Sequence, residues 1–159
     1  MASFKLGMYA KLYFGPNGTE LDSVEDQTGA TAALATMTEL GNVKDLTLNC
    51  ETGESDITTR SNKGWEATAA TLKKCTVDFE MVYKPDGGDV GFTAIRNAWL
   101  NSTEIPLAPL TDAHDTTGAE GPIGNYTITN FSRKESLTEA ITVAVTAKMA
   151  NFKHYSVTA

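Results

Sequence analysis

Apolar and polar residues alternate along several stretches of the chain, and this pattern predicts a protein built mainly of β-strands. In the clearest stretch, residues 75–83, the apolar positions would share one face: Cys75, Val77, Phe79, Met81 and Tyr83. A period of two is typical of a strand with one buried face. Five further stretches predict strands in the same way, at residues 4–14, 43–50, 105–110, 123–133 and 139–149.

The same alternation predicts which side chains of three strands point into the core. In residues 4–14 the inward face carries Phe4, Leu6 and Met8. In residues 43–50 it carries Leu46, Leu48 and Cys50. In residues 139–149 it carries Ile141, Val143, Val145, Ala147 and Met149, and the opposite face carries Ala140, Thr142, Ala144, Thr146 and Lys148.

One helix is predicted at residues 89–101. Asp89 is a suitable N-cap, and Phe92, Ile95 and Trp99 then form a single apolar stripe. Residues 31–40 could form a second, shorter helix. We therefore expect a mainly β fold, an antiparallel β-sandwich or barrel with one flanking α-helix and long loops, in a single domain spanning residues 1–159.

Two long polar segments, residues 15–42 and 51–74, interrupt the strands. Loops longer than about 15 residues are uncommon in compact domains unless they are functional. Both segments are rich in Thr, Ser and Ala, so we expect them to order against a partner surface rather than on themselves. The second segment carries a tryptophan, Trp65, in otherwise polar surroundings.

The net charge of −7 is unevenly distributed. Residues 17–58 hold nine acidic residues and one basic residue, Lys44, so the rest of the chain is close to neutral. This charge distribution is not the basic surface that is typical of a protein that binds nucleic acid. The acidic segment is either a solvated surface or one that meets a basic neighbour.

Candidate chemistry is sparse. No phosphate loop, HExxH or CxxC motif is present, and the Asp112, His114 and Asp115 cluster is interpreted as a solvated turn, so we expect no enzyme activity, cofactor or metal. Cys50 and Cys75 are expected to be buried, reduced thiols; a bridge between neighbouring strands stays open, although a cytoplasmic setting disfavours it. No apolar run approaches the ~20 residues of a membrane helix.

The run "NVKDLTLNCETGESDITTRSNKGWEATAATLKKCTVDFEMVY", residues 42–83, resembles the phage tail tube (major tail) proteins. In that family a strand leads into a long loop with a "TTR…GW" signature and returns into a second strand and a helix. Asn62 and Lys63 depart from the small residues expected in this motif. The resemblance implies a sandwich or barrel with a flanking helix, in subunits that form stacked hexameric rings around a hollow tube for DNA ejection.

The resemblance also implies roles for particular residues. Arg60 and Trp65 would anchor the subunit interface, although Trp65 could instead fold back on its own core. Acidic and basic residues would complete that interface, namely Glu25, Asp26, Lys73 and Lys74. A strand that lines a DNA conduit should carry short, polar or acidic groups, and the candidates for this lumen are Thr76, Asp78, Glu80, Thr142 and Thr146.

The implied partners are further copies of the chain, a tape-measure protein, a tail-tip or baseplate initiator, a tail terminator and, in tails that have one, a sheath protein. Genomic DNA would pass through the lumen without specific binding, and no membrane is involved. The protein would assemble in the host bacterial cytoplasm and reside in the virion tail. Two alternatives are a tube protein of a type VI secretion or other contractile injection system, and a carbohydrate-binding or adhesin sandwich with exposed strand aromatics.

Overall fold

Seven antiparallel strands and two α-helices make up the part of the chain that the computed structural model describes, residues 4, 6–15, 24, 26–84 and 90–159. The strands are β1 (Lys11–Phe14), β2 (Thr38–Glu39), β3 (Val43–Asp56), β4 (Thr68–Val82), β5 (Glu104–Leu110), β6 (Glu120–Lys134) and β7 (Thr142–Val157). The helices are α1 (Gln27–Thr36) and α2 (Val90–Leu100). Short 3-10 turns lie at Gly7–Tyr9 and Arg60–Asn62.

The strands form one sheet in the order β2-β1-β5-β6-β7-β4-β3, and its two edge strands are neighbours in sequence. In a flat sheet the six spacings of ~4.8 Å would place β2 and β3 about 29 Å apart. Residues 40–42, which join them, can span only about 14 Å. The sheet must therefore curl until its edges approach.

Hydrogen bonds hold this connection to both sides of the curled sheet. The Leu40 amide donates to the Leu12 carbonyl over 2.8 Å, and the Val82 amide donates to the Asn42 carbonyl over 3.0 Å. The edges leave a cavity of 640 Å³ between β2, β3 and the segment before β1, so the barrel is not closed. The prediction of a mainly β, antiparallel, sandwich-like fold is confirmed, with two described helices in place of one.

The inner face of the curled sheet holds the main core. Val77, Phe79 and Met81 of β4 and Val143, Val145 and Ala147 of β7 are buried there, as their alternation predicts. Helix α2 closes this core with Phe92, Ile95 and Ala98. Trp99, expected to share that stripe, is 43% exposed and stacks on Phe131 instead, with ring centroids 5.8 Å apart.

A second core lies on the outer face of β1, β5 and β6, where α1 packs. Ala30 and Leu34 of the helix meet Tyr13, Leu110 and Ile123 of the strands. Asp26 caps this helix by accepting a hydrogen bond from the Gly29 amide over 2.8 Å. Half of the sheet is thus buried on both faces, whereas the outer face of β3, β4 and the first half of β7 stays open to solvent.

The predicted strand at residues 4–14 is wrong over its first half. Residues 7–9 form a 3-10 turn and the strand begins at Lys11. Phe4 is 94% exposed and Met8 76% exposed, because no described element covers this segment. Asp89, the predicted N-cap of the helix, falls outside the described residues.

Candidate assembly surfaces

Strands β3 and β4 extend far beyond the sheet as a two-stranded arm. Strand β4 pairs with β7 only over residues 76–82, so residues 50–56 and 68–75 pair only with each other. We call residues 50–75 the projecting hairpin. At ~3.3 Å per residue, its strands carry the tip roughly 25 Å beyond the point where β4 leaves β7.

The expectation of a long loop at residues 51–74 is therefore wrong. The hairpin is exposed on both faces, and every residue from 47 to 61 is exposed. Strand prediction depends on one buried face, and a strand that is wet on both faces has no apolar period to detect. The expectation that this segment becomes ordered against a partner surface stays a prediction.

Side-chain hydrogen bonds fix the tip of the hairpin in one shape. The Thr59 amide donates to Asn62 Oδ1 over 2.6 Å, and the Trp65 amide donates to the Asn62 carbonyl over 3.0 Å. Lys63 and Gly64 then reverse the chain with left-handed backbone angles, φ +54° and +86°. Asn62, a departure from the family pattern, is thus the residue that organises this turn.

Hydrogen bonds also order the approach to the tip. Asp56 Oδ1 accepts from the Thr58 amide over 2.9 Å, and the Ile57 amide donates to the Ala67 carbonyl over 3.0 Å. The bonds from Thr58 lower the pKa of the Asp56 carboxyl, since they favour its charged form. All of these hydrogen bonds at the tip are made within one subunit.

Trp65 and Arg60 both lie at this tip with their side chains in solvent. Trp65 is 79% exposed, so the alternative in which it folds back on its own core is wrong. Arg60 opens the 3-10 turn and is exposed as well. The structure therefore brings these two predicted interface residues onto one projection, and their role in a subunit contact stays a prediction.

The other predicted interface residues lie away from the tip. Lys73 and Lys74 occupy the β4 strand of the hairpin, and Lys74 Nζ lies 3.3 Å from Glu51 Oε2 across the ladder. Asp26 caps α1, and Gln27 of that helix bonds to the end of β7 at Ser156 over 3.1 Å. Glu25 falls outside the described residues. Among the described residues no contact joins Asp26 to the hairpin.

Some charged side chains that were expected to pair with a neighbouring subunit form ion pairs within their own subunit. Besides Lys74 with Glu51, Lys11 Nζ lies 3.0 Å from Glu39 Oε1, and Arg133 Nε lies 2.6 Å from Glu135 Oε1. The Glu39 partner raises the pKa of the Lys11 ammonium through a hydrogen bond and its charge. All three pairs are at least partly exposed to solvent, and exposed pairs contribute little to stability.

The five predicted lumen residues lie together on the open outer face of the sheet. Asp78 of β4 is opposite Thr146 of β7, and the Thr146 hydroxyl donates to Asp78 Oδ1 over 2.7 Å. The register extends this polar face across four strands, through Asp45, Thr47 and Asn49 of β3, Thr76, Asp78 and Glu80 of β4, Thr142, Ala144, Thr146 and Lys148 of β7, and Asn130 and Ser132 of β6.

The polar face has the chemistry of a surface that repels or ignores nucleic acid. Its centre carries three carboxylates, Asp45, Asp78 and Glu80, and Lys148 stands at its margin opposite Thr76. No aromatic side chain projects from it, so it lacks the stacking platform by which single strands or sugars are bound. That the face lines a lumen stays a prediction.

Three solved structures share this fold over nearly the whole chain. A chain from the tail of an empty GTA particle, refined with C6 symmetry, superimposes with a TM-score of 0.68 at 15% identity and covers 98% of this chain and 100% of that one. A chain from the virion of a native gene transfer agent particle gives 0.65 at 14% identity, with 98% and 100% covered. The SPP1 tail tube gives 0.66 at 14% identity, with 97% and 80% covered.

This chain has the tail-tube fold. No protein-family model matches it, and no curated protein matches it in sequence. The likeness is therefore carried by the arrangement of strands and helices rather than by residues held in common.

Within the tail-tube fold, several exposed apolar residues of β3 and the hairpin escaped the sequence interpretation. Leu72 is 86% exposed and Ile57 is 54% exposed, and Leu48, expected in the core, is 38% exposed. Cys50, also expected in the core, is exposed, and Cys75 is half-buried. The sequence signal for a hairpin was the run of turn-forming residues SNKG at 61–64, which lies midway between two strands without proline.

The His114 cluster of the sequence analysis makes contacts that serve the fold. The His114 amide donates to the Tyr13 hydroxyl over 3.1 Å, and the two rings meet edge to face. Within the described ranges, no three His, Cys, Asp or Glu side chains come together as a metal site requires. Neither described helix is long and apolar enough to cross a membrane.

Proposed function

We propose that this protein is the structural subunit of a bacteriophage tail tube, and that it self-assembles into stacked hexameric rings forming the conduit for DNA ejection. One observation carries the proposal: the chain matches tail and tail-tube subunits over 97–98% of its length. The C6 symmetry of one of those tails supports the six-fold ring. The whole chain, residues 1–159, is then one tail-tube domain.

The edges of the sheet support contacts around the ring. Strand β3 is an edge strand of 14 residues, and no described strand pairs with its outer side. A long exposed edge is a template for pairing with another chain. In the proposed ring this edge meets the next subunit, so that the polar faces of neighbouring subunits continue one another.

The projecting hairpin supports contacts between rings. Three exposed apolar residues of the hairpin are the kind of surface that is covered in an assembly: Ile57 and Trp65 near the tip, and Leu72 on its β4 strand. Trp and Arg anchor interfaces because they combine a large contact area with directed hydrogen bonds. Trp65 and Arg60 are accordingly proposed as the anchors, with Asp26, Glu25, Lys73 and Lys74 as charged rim residues.

The polar face is proposed to line the lumen. Asp78, Glu80 and Asp45 repel phosphate over roughly 8–10 Å at physiological salt, which keeps DNA unbound and mobile. On this proposal the protein is not an enzyme, resides in the virion tail and is assembled in the host cytoplasm. Its partners are other copies of itself, a tape-measure protein, an initiator at the tail tip or baseplate and a tail terminator, with a sheath in contractile tails.

Negative-stain electron microscopy of the purified protein tests the proposal. We expect six-fold rings or hollow tubes, formed spontaneously or on addition of a tail-tip initiator complex. A protein that stays monomeric in both conditions up to high concentration would contradict tube formation. Neighbouring genes for a tape-measure protein distinguish a phage tail from a type VI or other injection system.

A further inference from the structure

The two cysteines face each other across one rung of the β3–β4 ladder. Cys50 is directly opposite Cys75, and the rungs on either side, Asn49 with Thr76 and Glu51 with Lys74, keep the same register without a bulge. Directly opposed residues of antiparallel strands have Cα atoms about 4.5 or 5.5 Å apart. Both values lie within the ~4.4–6.8 Å that a disulfide requires.

The two thiols are in contact and within reach of solvent. The Cys75 side chain is hydrogen-bonded to that of Cys50, Cys50 is exposed, and Cys75 is half-buried. Burial, followed by this hydrogen bond, raises the pKa of the Cys75 thiol to about 12. Because the thiolate is the nucleophile in disulfide exchange, attack by Cys75 becomes faster as the pH rises.

We propose that Cys50 and Cys75 are an oxidative modification site, at which a cross-strand disulfide forms when the protein meets a small disulfide such as glutathione disulfide. The Cys50 thiolate attacks one sulfur of the oxidant, forming a mixed disulfide and releasing one glutathione. The Cys75 thiolate then attacks the Cys50 sulfur and releases the second glutathione. The two cysteines together lose two protons and two electrons. Glutathione disulfide takes up these protons and electrons and is reduced to two molecules of glutathione.

The disulfide would join the two strands of the projecting hairpin at the end where the hairpin leaves the sheet. The last rung between β4 and β7 is Thr76 with Lys148, so the cysteine pair is the first rung that no other strand supports. A free two-stranded ribbon is marginally stable, and a register slip of one residue exchanges its two faces. A covalent rung at this point keeps the tip in one orientation.

The setting of the proposed function supplies the oxidising conditions, since disulfides persist on virions and are rare in the cytosol. The subunit would thus be reduced while it assembles and would become bridged after release. The chemistry itself depends only on the two thiols and not on tube formation, so the site and the proposed function can fail separately.

Mass spectrometry tests the bridge. Purified protein is reduced, freed of reductant and incubated with glutathione disulfide at mildly alkaline pH; remaining thiols are then blocked with N-ethylmaleimide. We expect no maleimide adduct and one linked pair of tryptic peptides, residues 45–60 with residues 75–96. Raising the pH by one unit should speed bridge formation by up to about tenfold, because it raises the thiolate fraction.

Matched variants test the geometry. Cys50→Ser and Cys75→Ser each keep one thiol and should stop at a mixed disulfide with glutathione. The combination of Cys75→Ser with Thr76→Cys keeps two cysteines but turns the second to the opposite face of β4, so no linked peptide should form. Wild-type protein that ends with two glutathione or two maleimide adducts, or that is linked into dimers, overturns the proposal.

Discussion

Replacing Trp65 by alanine separates the folding of the subunit from its assembly. Trp65 is 79% exposed, so about a fifth of its surface, roughly 50 Å², is covered within the subunit. At ~25 cal/mol per Å², this burial is worth only about 1 kcal/mol. We therefore expect Trp65→Ala to lower the melting temperature of the monomer by only about 2–4 °C, the shift typical of a chain of this length.

The effect on assembly should be far larger. Truncating an interface anchor costs on the order of 2–4 kcal/mol, which corresponds to about a 30- to 700-fold change in an association constant. The loss recurs at every subunit of a ring, because each copy presents one tip. The critical concentration for tube formation should rise by at least this factor, so tubes should be missing at concentrations where wild-type protein forms them.

The other tryptophan is the matched control. Trp99 stacks on Phe131 and is 43% exposed, so Trp99→Ala should cost about 2 kcal/mol of folding stability, roughly half the loss of a fully buried ring. Melting curves of both variants and electron microscopy over a concentration series give the comparison. A Trp65→Ala protein that forms normal tubes, or that melts lower than Trp99→Ala, would refute the assignment of Trp65 as an assembly anchor.

Three further predictions concern charge and order. Tube growth should slow as salt rises, because rim pairs formed by bases such as Lys73 accelerate association; growth rates that do not change with ionic strength would count against such pairs. Amide exchange in the soluble subunit should be faster at residues 51–74 than at residues 76–82, and should slow at residues 51–74 in tubes; unchanged protection on assembly would exclude the hairpin from the contacts. Tubes of Glu80→Lys protein should protect added DNA from nuclease. Tubes of Asp115→Lys protein, which carry the same charge change on an exposed loop, should not. Equal protection by the two variants would contradict the placement of Glu80 in the lumen.

The sequence predicts strands well where one face is buried and the other is wet. Val77, Phe79 and Met81 alternate with polar residues because the core lies on one side and solvent on the other. Strand β5 was also recognised, although Ile105 and Leu107 enter one core and Ala108 and Leu110 the other. Its apolar run shows burial but does not show that helix α1 supplies the second core.

The candidate surfaces were only partly predictable, because spacing assigns a residue to a face and does not reveal what covers that face. Leu48 and Cys50 have the spacing of core residues, yet they lie where the ladder has passed beyond the core. Asp78 and Thr146 were placed on a common face because alternation within each strand is enough for that. The exposure of Trp65 depends on the length of the hairpin, which no local pattern reveals.

The pairing of the strands spans very unequal distances along the chain, and this bears on the order in which the molecule folds. Strands β3 and β4 are joined directly through residues 57–67, whereas Lys11 pairs with Leu110 and Thr76 with Lys148. A hairpin forms in about 1–10 μs, but sheets dominated by distant pairs take milliseconds to seconds. We expect pulse-labelled amides to gain protection first in the two local hairpins, β3 with β4 and β6 with β7, and simultaneous protection of β1 and β5 would contradict this order. A newly made chain then exposes its hairpin to other chains before its cores have formed. Charged side chains along the hairpin oppose premature edge-to-edge association during this interval, namely those of Glu51, Glu54, Lys73 and Lys74.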